Sequence, residues 1–253
     1  MATIIAVANQ KGGVGKTTTA ANIGAGLARK GFRVLLVDMD PQSNLTAAFG
    51  LERNLDDTIA QCLLDRAADP PILRVEDRTG VAVDVIPADL GLAGVETALV
   101  NKLGRELRLR EQLSKVDARY DYVLIDTPPS LGILTINALV AARWVIIPTE
   151  ARFFSMQGLD MLDESIREVL MLNPNLQILG IVLSKFDRRL REEATVRDFL
   201  MRKWGDAVFT TPVPANSKIL EASSAGVSVY AYAGTKKAMG VYDALVEEVV
   251  ARV

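Results

Sequence analysis

Eight residues that can bind phosphate run together in NQKGGVGKTTT, residues 9–19: Lys11, Gly12, Gly13, Val14, Gly15, Lys16, Thr17 and Thr18. Closely spaced glycines let a backbone turn tightly and bring its N–H groups against an anion. A lysine directly behind them reaches the β- and γ-phosphates of a nucleotide, and the next hydroxyl coordinates Mg²⁺. Three carboxylates complete the set. Asp38 and Asp40 stand in DMDPQSN, residues 38–44, and Asp126 in YDYVLIDTPP, residues 120–129. An acid that follows an apolar strand behind a phosphate loop holds Mg²⁺ directly or through water, and acids at the carboxyl end of a parallel strand lie where open α/β sheets bind ligands. The chain has no histidine and one cysteine, Cys62. Histidine acid–base catalysis, histidine-ligated zinc, internal disulfides and two-cysteine metal motifs are therefore excluded. The chemistry implied is that of a nucleotide's phosphates and a hard cation such as Mg²⁺.

The elements that must position these groups alternate regularly. Apolar runs at Ile4 to Ala8, Arg33 to Val37, Val81 to Ile86, Trp144 to Pro148 and Ile178 to Leu183, and the one that runs into Asp126 within Tyr120 to Pro129, predict buried strands. Helical spacing is expected over Ala20 to Lys30, Gly91 to Val116, Leu131 to Ala142 and Ser155 to Leu172, the last ended by Asn173-Pro174. Residues 50–80 mix charge with Asp69-Pro70-Pro71 and read as a surface excursion holding one short amphipathic piece near Thr58 to Leu64. Length alone, 253 residues, allows one or two domains. The alternation of strand and helix, with no linker or repeat, predicts a single α/β domain over residues 1–253, a doubly wound, mostly parallel twisted sheet flanked by helices.

With 49% hydrophobic and 24% charged residues, the composition suits a globular protein with a sizeable core. No run approaches the roughly 18–20 apolar residues of a membrane span, and a strand begins within a few residues of Met1. The expectation is a cytoplasmic protein with no membrane partner. The net charge of −2 is unevenly spread. Residues 185–203 carry seven basic side chains against four acidic ones, net +3, which leaves the remainder at −5. Clustering of this kind suits sequence-independent contact with a DNA backbone. Arg188, Arg189, Arg202 and Lys203 are the candidates there, with Lys218, Lys236 and Lys237 able to join them in space. The alternative is a solvated helix face laced by i,i+4 charge pairs.

The early lysine of KGGVGKT, where a plain phosphate loop has none, resembles the deviant phosphate-binding (Walker A) loop of the MinD/ParA family of ATPases. That resemblance extends from Ile4 to Val250 and implies a P-loop fold. It implies further that Lys11 reaches across a homodimer to the partner's nucleotide, as an arginine finger would. In DxDPQ it assigns Asp40 to the attacking water and to the metal, and Asp38 to support of the metal shell; Thr17 and Asp126 are the other metal residues. VPANSKI, residues 213–219, resembles the segment that wraps the adenine, with Pro214 and Asn216 retained and Ala215 where arginine is usual. SKFD, residues 184–187, is similar to an NKxD-type base contact. The C-terminal helix carries Asp243, Glu247 and Glu248, unlike the basic membrane helix of MinD-like members. Paired cluster cysteines are absent as well. What remains resembles the short Soj/ParA type. The implied function is ATP-dependent DNA segregation: an ATP-bound dimer on non-specific DNA, nucleoid-associated, slow in hydrolysis and released with a ParB-like activator. Two alternatives stay open, a ParA-like ATPase that positions a protein cargo and a small-molecule P-loop kinase or ligase.

Overall fold

The computed structural model describes residues 1–52, 55–152 and 162–253. Seven strands form one sheet: β1 Thr3–Val7, β2 Val34–Asp38, β3 Leu73–Glu76, β4 Ala82–Ile86, β5 Tyr122–Asp126, β6 Trp144–Glu150 and β7 Gln177–Ser184. They lie in the order β3-β4-β2-β5-β1-β6-β7. Every pairing is parallel except β3 with β4. Both faces are covered, and that accounts for the unbroken apolar runs: every residue of β2 and β5 is buried. Alternation along β2 shows the two layers, since Leu35 and Val37 enter one core while Val34 and Leu36 enter the other.

The helices divide accordingly. α1 Lys16–Arg29 and α2 Asn44–Ala47 pack on one face, joined by α8 Ser217–Ser224 and α9 Lys236–Arg252. α3 Ile59–Leu64, α4 Leu92–Leu99, α5 Arg108–Ser114, α6 Ile133–Ala141 and α7 Arg191–Trp204 cover the other. α1 is pressed so closely to its neighbours that a Cβ on Gly26 would stand 2.7 Å from the Tyr230 hydroxyl oxygen.

Two expectations need correction. Residues 50–80 hold an edge strand as well as α3. In β3, half-buried Leu73 and Val75 alternate with exposed Arg74 and Glu76, and a turn at residues 77–80 returns the chain antiparallel into β4. The exposed charges protect a sheet edge and at the same time make so short a strand look like a loop. The single helix expected from Gly91 to Val116 is broken. Gly104 takes a left-handed φ of 63°, and a short 3₁₀ turn, Arg105–Leu107, leads into α5. The buried Asn137 of α6 holds the break: its Oδ1 accepts from the Leu109 N–H at 3.0 Å and its Nδ2 donates to the Arg105 carbonyl at 2.8 Å. The helix expected over 155–172 falls partly outside the described residues; 162–169 are helical.

Candidate functional site

β1, β2 and β5 end in register, with Asp38 opposite Asp126 and Val7 opposite Asp126. The carboxyl ends of adjacent parallel strands are where such sheets present ligand-binding groups, and the sequence candidates converge there. From β1 the chain turns through residues 8–15 into α1. Gly13 and Gly15 have φ of 75° and 86°, values a side chain would resist. No side chain caps the N-terminus of α1. The first N–H groups of that helix are left for an anion, with the helix dipole behind them. Asn9 anchors the loop from within: its Nδ2 donates to the Pro148 carbonyl at 2.7 Å, and its Oδ1 accepts from the Lys11 N–H at 3.0 Å.

Lys16 folds back over the loop, its Nζ 3.4 Å from the Lys11 carbonyl oxygen, and is buried. Burial lowers its pKa, an effect that Asp126 and Asp40 oppose. Asp126 is fully buried, and neither carboxylate oxygen has a hydrogen-bond partner. Its pKa is raised well above the ordinary carboxylate value, by burial first and by Asp38 next, with Thr17 and Lys16 pulling the other way. A buried carboxylate left without donors is costly. It fits a hard cation, which is held by one or two carboxylates together with phosphate and water oxygens. Thr17 beside Asp126 fits the same ion. Among the described residues no group of three or more acidic, histidine or cysteine side chains is placed to hold a metal ion.

Asp38 is engaged differently. Its Oδ2 accepts from the Thr46 N–H and hydroxyl at 2.8 and 2.7 Å, and its Oδ1 from the Asp40 N–H at 3.1 Å. Its pKa is pushed up to about 6, burial outweighing those bonds. Asp38 therefore braces the loop that carries Asp40, whose own Oδ1 accepts from the Gln42 N–H at 2.9 Å.

Beside the phosphate loop lies an apolar pocket of about 320 Å³ that touches Gly15, Thr18, Ser184, Lys185 and the 213–217 segment. Pro214 and Asn216 are among the residues that line it. Asn216 is also the N-cap of α8, its Oδ1 accepting from the Lys218 N–H at 2.9 Å. On the other side of the same segment is a groove of about 680 Å³ with Asp187, Arg188, Arg189 and Lys237 on its walls. Asp187 faces this groove rather than the pocket. Arg189 grips both its oxygens and holds its pKa down at about 2. The cationic candidates are thus only partly united. Lys236 and Lys237 open α9 with no acid in its first turn. Lys218 pairs with Glu221 at 2.6 Å. Arg202 and Lys203 sit in the last turn of α7, roughly 20 Å along its axis from the groove.

Sequence reasoning overlooked Asn9, Thr46 and Glu150. The last ends β6 on a carboxylate 3.0 Å from Lys11 Nζ and 3.1 Å from Lys185 Nζ. An acid at the top of a buried parallel strand was the available signal for it.

A family model described as an AAA domain matches residues 2–178. Over 254 residues the chain is 42% identical to the sporulation initiation inhibitor protein Soj of Bacillus subtilis (strain 168), covering 99% of each chain. The chain belongs to the MinD/ParA family of ATPases. Within that family it is also 41% identical to the chromosome partitioning protein ParA of Caulobacter vibrioides, covering 98% of this chain and 94% of that one. A solved structure of cobyrinic acid a,c-diamide synthase from Mycobacterium smegmatis with bound ATP analog and magnesium matches this ParA-family fold with a TM-score of 0.84. It is 34% identical, over 98% of this chain and 93% of that one. Among the described residues no helix is long and apolar enough to cross a membrane.

Proposed function

We propose that this ParA-family chain is an ATP-dependent DNA-partitioning ATPase whose ATP-bound subunits pair, hold DNA irrespective of sequence and release it on hydrolysis. The observation that carries the reading is the common wall formed by Pro214, Ala215 and Asn216, with the base-sized pocket on one side and the cationic groove on the other. A group bound in the pocket bears on the backbone that shapes the groove. The names of the Bacillus and Caulobacter relatives, which match along nearly their whole lengths, support the same reading.

In this scheme the loop N–H groups and Lys16 hold the phosphates of ATP, and Thr17 and Asp126 hold Mg²⁺. When bound, that ion neutralises charge on the β- and γ-oxygens. Asp40 orients the attacking water, and Lys11 enters the partner subunit's site to stabilise phosphate charge. Pairing doubles the cationic surface, so affinity for DNA rises steeply as each phosphate contact adds its own counterion release. Intrinsic hydrolysis is slow, and a ParB-like protein accelerates it and resets the switch. A cargo-positioning ATPase would use the same site with a different partner. A small-molecule P-loop kinase or ligase, a reading to which the M. smegmatis neighbour's name as a diamide synthase lends some support, would leave the groove without a task.

The test is binding to a non-specific duplex with no nucleotide, ADP or ATP, across a salt series, for wild type and Asp40→Ala. ATP-specific, salt-sensitive binding that persists in Asp40→Ala is expected. Absence of DNA binding in every state, with ADP formation that depends on a metabolite, would replace partitioning with the ligase reading.

A further inference from the structure

Glu150 is the hub of an ion-pair cluster at the mouth of the phosphate loop. One carboxylate oxygen lies 3.0 Å from Lys11 Nζ and 3.8 Å from Arg152 Nε, the other 3.1 Å from Lys185 Nζ. The Glu150 side chain is only 13% exposed, whereas those of Lys11 and Lys185 are 40% and 48% exposed. Burial favours the protonated acid, but the two lysine hydrogen bonds outweigh it and keep the pKa below its ordinary value. Lys185 makes this contact from a left-handed backbone, φ 54°, one of two non-glycine residues with positive φ among those described. Side chains adopt that conformation only when their surroundings hold them there. Here the Phe186 N–H donates to the Val213 carbonyl at 3.0 Å, and the Ser184 hydroxyl donates to the Thr149 carbonyl at 3.2 Å. The cluster is built by the strand ends around it.

We infer that Glu150 is a positioning residue that holds Lys11 within its own subunit and thereby sets the protein concentration at which ATP-bound subunits pair. The inference rests on the reading of Lys11 as a residue that acts in trans. To reach the partner subunit's nucleotide, Lys11 must leave Glu150. Lys185 and Arg152 stay behind, so the carboxylate is never stranded as an unpaired buried charge, which would otherwise make release prohibitive. What is lost is one partly exposed ion pair, a bias of roughly two- to fivefold per subunit. It enters twice in a symmetric dimer, giving about tenfold in the pairing constant. The nucleotide thus drives dimer formation against a restraint weak enough to yield and strong enough to keep subunits apart at low concentration.

The experiment measures the monomer–dimer midpoint by sedimentation with saturating ATP and Mg²⁺, in an Asp40→Ala background that does not hydrolyse. Glu150→Gln should lower the midpoint about tenfold while leaving the affinity of monomeric protein for ATP unchanged. Glu150→Asp, which keeps the charge on a shorter stem, should fall between. Raising salt should narrow the gap between wild type and Glu150→Gln, because it screens the restraint in wild type alone. Lys11→Ala should abolish pairing, and adding Glu150→Gln to it should have no further effect on assembly. An unchanged or higher midpoint for Glu150→Gln, with Lys11→Ala still unable to pair, overturns the Glu150 assignment alone. Normal pairing by Lys11→Ala overturns the trans reading itself, and the assignment with it.

Discussion

At the scale of single residues, the site buries charge that the protein itself leaves poorly satisfied. Asp126 is the clearest, a buried carboxylate with no donor. Because its folded pKa is raised, the folded state binds its proton more tightly than the unfolded chain, whose value is about 3.9. The stability it contributes is complete below that value and is lost as pH rises toward the folded pKa. Asp126→Asn should therefore stabilise nucleotide-free protein at pH 8 by about 1–2 kcal/mol, with the gain shrinking toward pH 4, as urea midpoints across pH would show. The same variant should lose the rise in melting temperature that MgATP confers on wild type. A variant no more stable than wild type at pH 8 would mean that the carboxylate has a partner. Asp40→Ala should retain that thermal shift and lose ATP turnover by a factor of about 10² or more, measured as phosphate release, since it removes the group that orients the nucleophile and leaves the phosphate cradle intact.

At the scale of elements, the break between α4 and α5 depends on one side chain. Asn137→Ala would leave the Leu109 N–H and the Arg105 carbonyl without their partner. Buried, unpaired backbone groups cost about 1–3 kcal/mol each way, so a loss of roughly 2–3 kcal/mol is expected in denaturant unfolding at unchanged m-value. Affinity for ATP should stay within twofold, because α5 and α6 pack on the face of the sheet opposite α1. A stability change below 0.5 kcal/mol would show that the break is held by packing alone.

At the scale of the whole molecule, function depends on where charge collects in a chain of net charge −2. Arg188 and Lys237 share the groove and Arg202 and Lys203 do not, so the two pairs should behave differently. Arg188→Ala with Lys237→Ala should weaken ATP-dependent DNA binding about equally for every duplex sequence and lower the salt slope by roughly 1–2. Arg202→Ala with Lys203→Ala should change either quantity much less. The reverse result, from binding isotherms at several salt concentrations, would move the DNA surface to the far end of α7.

Much of the site could be read from local sequence because its parts are local. A glycine-rich turn between a strand and a helix needs only its own residues, and buried parallel strands announce themselves by unbroken apolar runs ending in Asp38 and Asp126. The phosphate loop, the two acids and the alternating α/β architecture followed from that. Features that depend on contacts between distant parts of the chain did not. β3 is a strand because β4 pairs with it, and the α4–α5 break exists because Asn137 reaches it from another helix. Seven clustered charges in sequence became a groove holding two of the α7-segment arginines and one lysine from α9, since a helix carries successive side chains to different faces and separates its ends by about 1.5 Å per residue. Glu150 meets Lys11 across 139 positions of chain. Only the order of strands in the folded sheet, with β6 laid beside β1, brings them together.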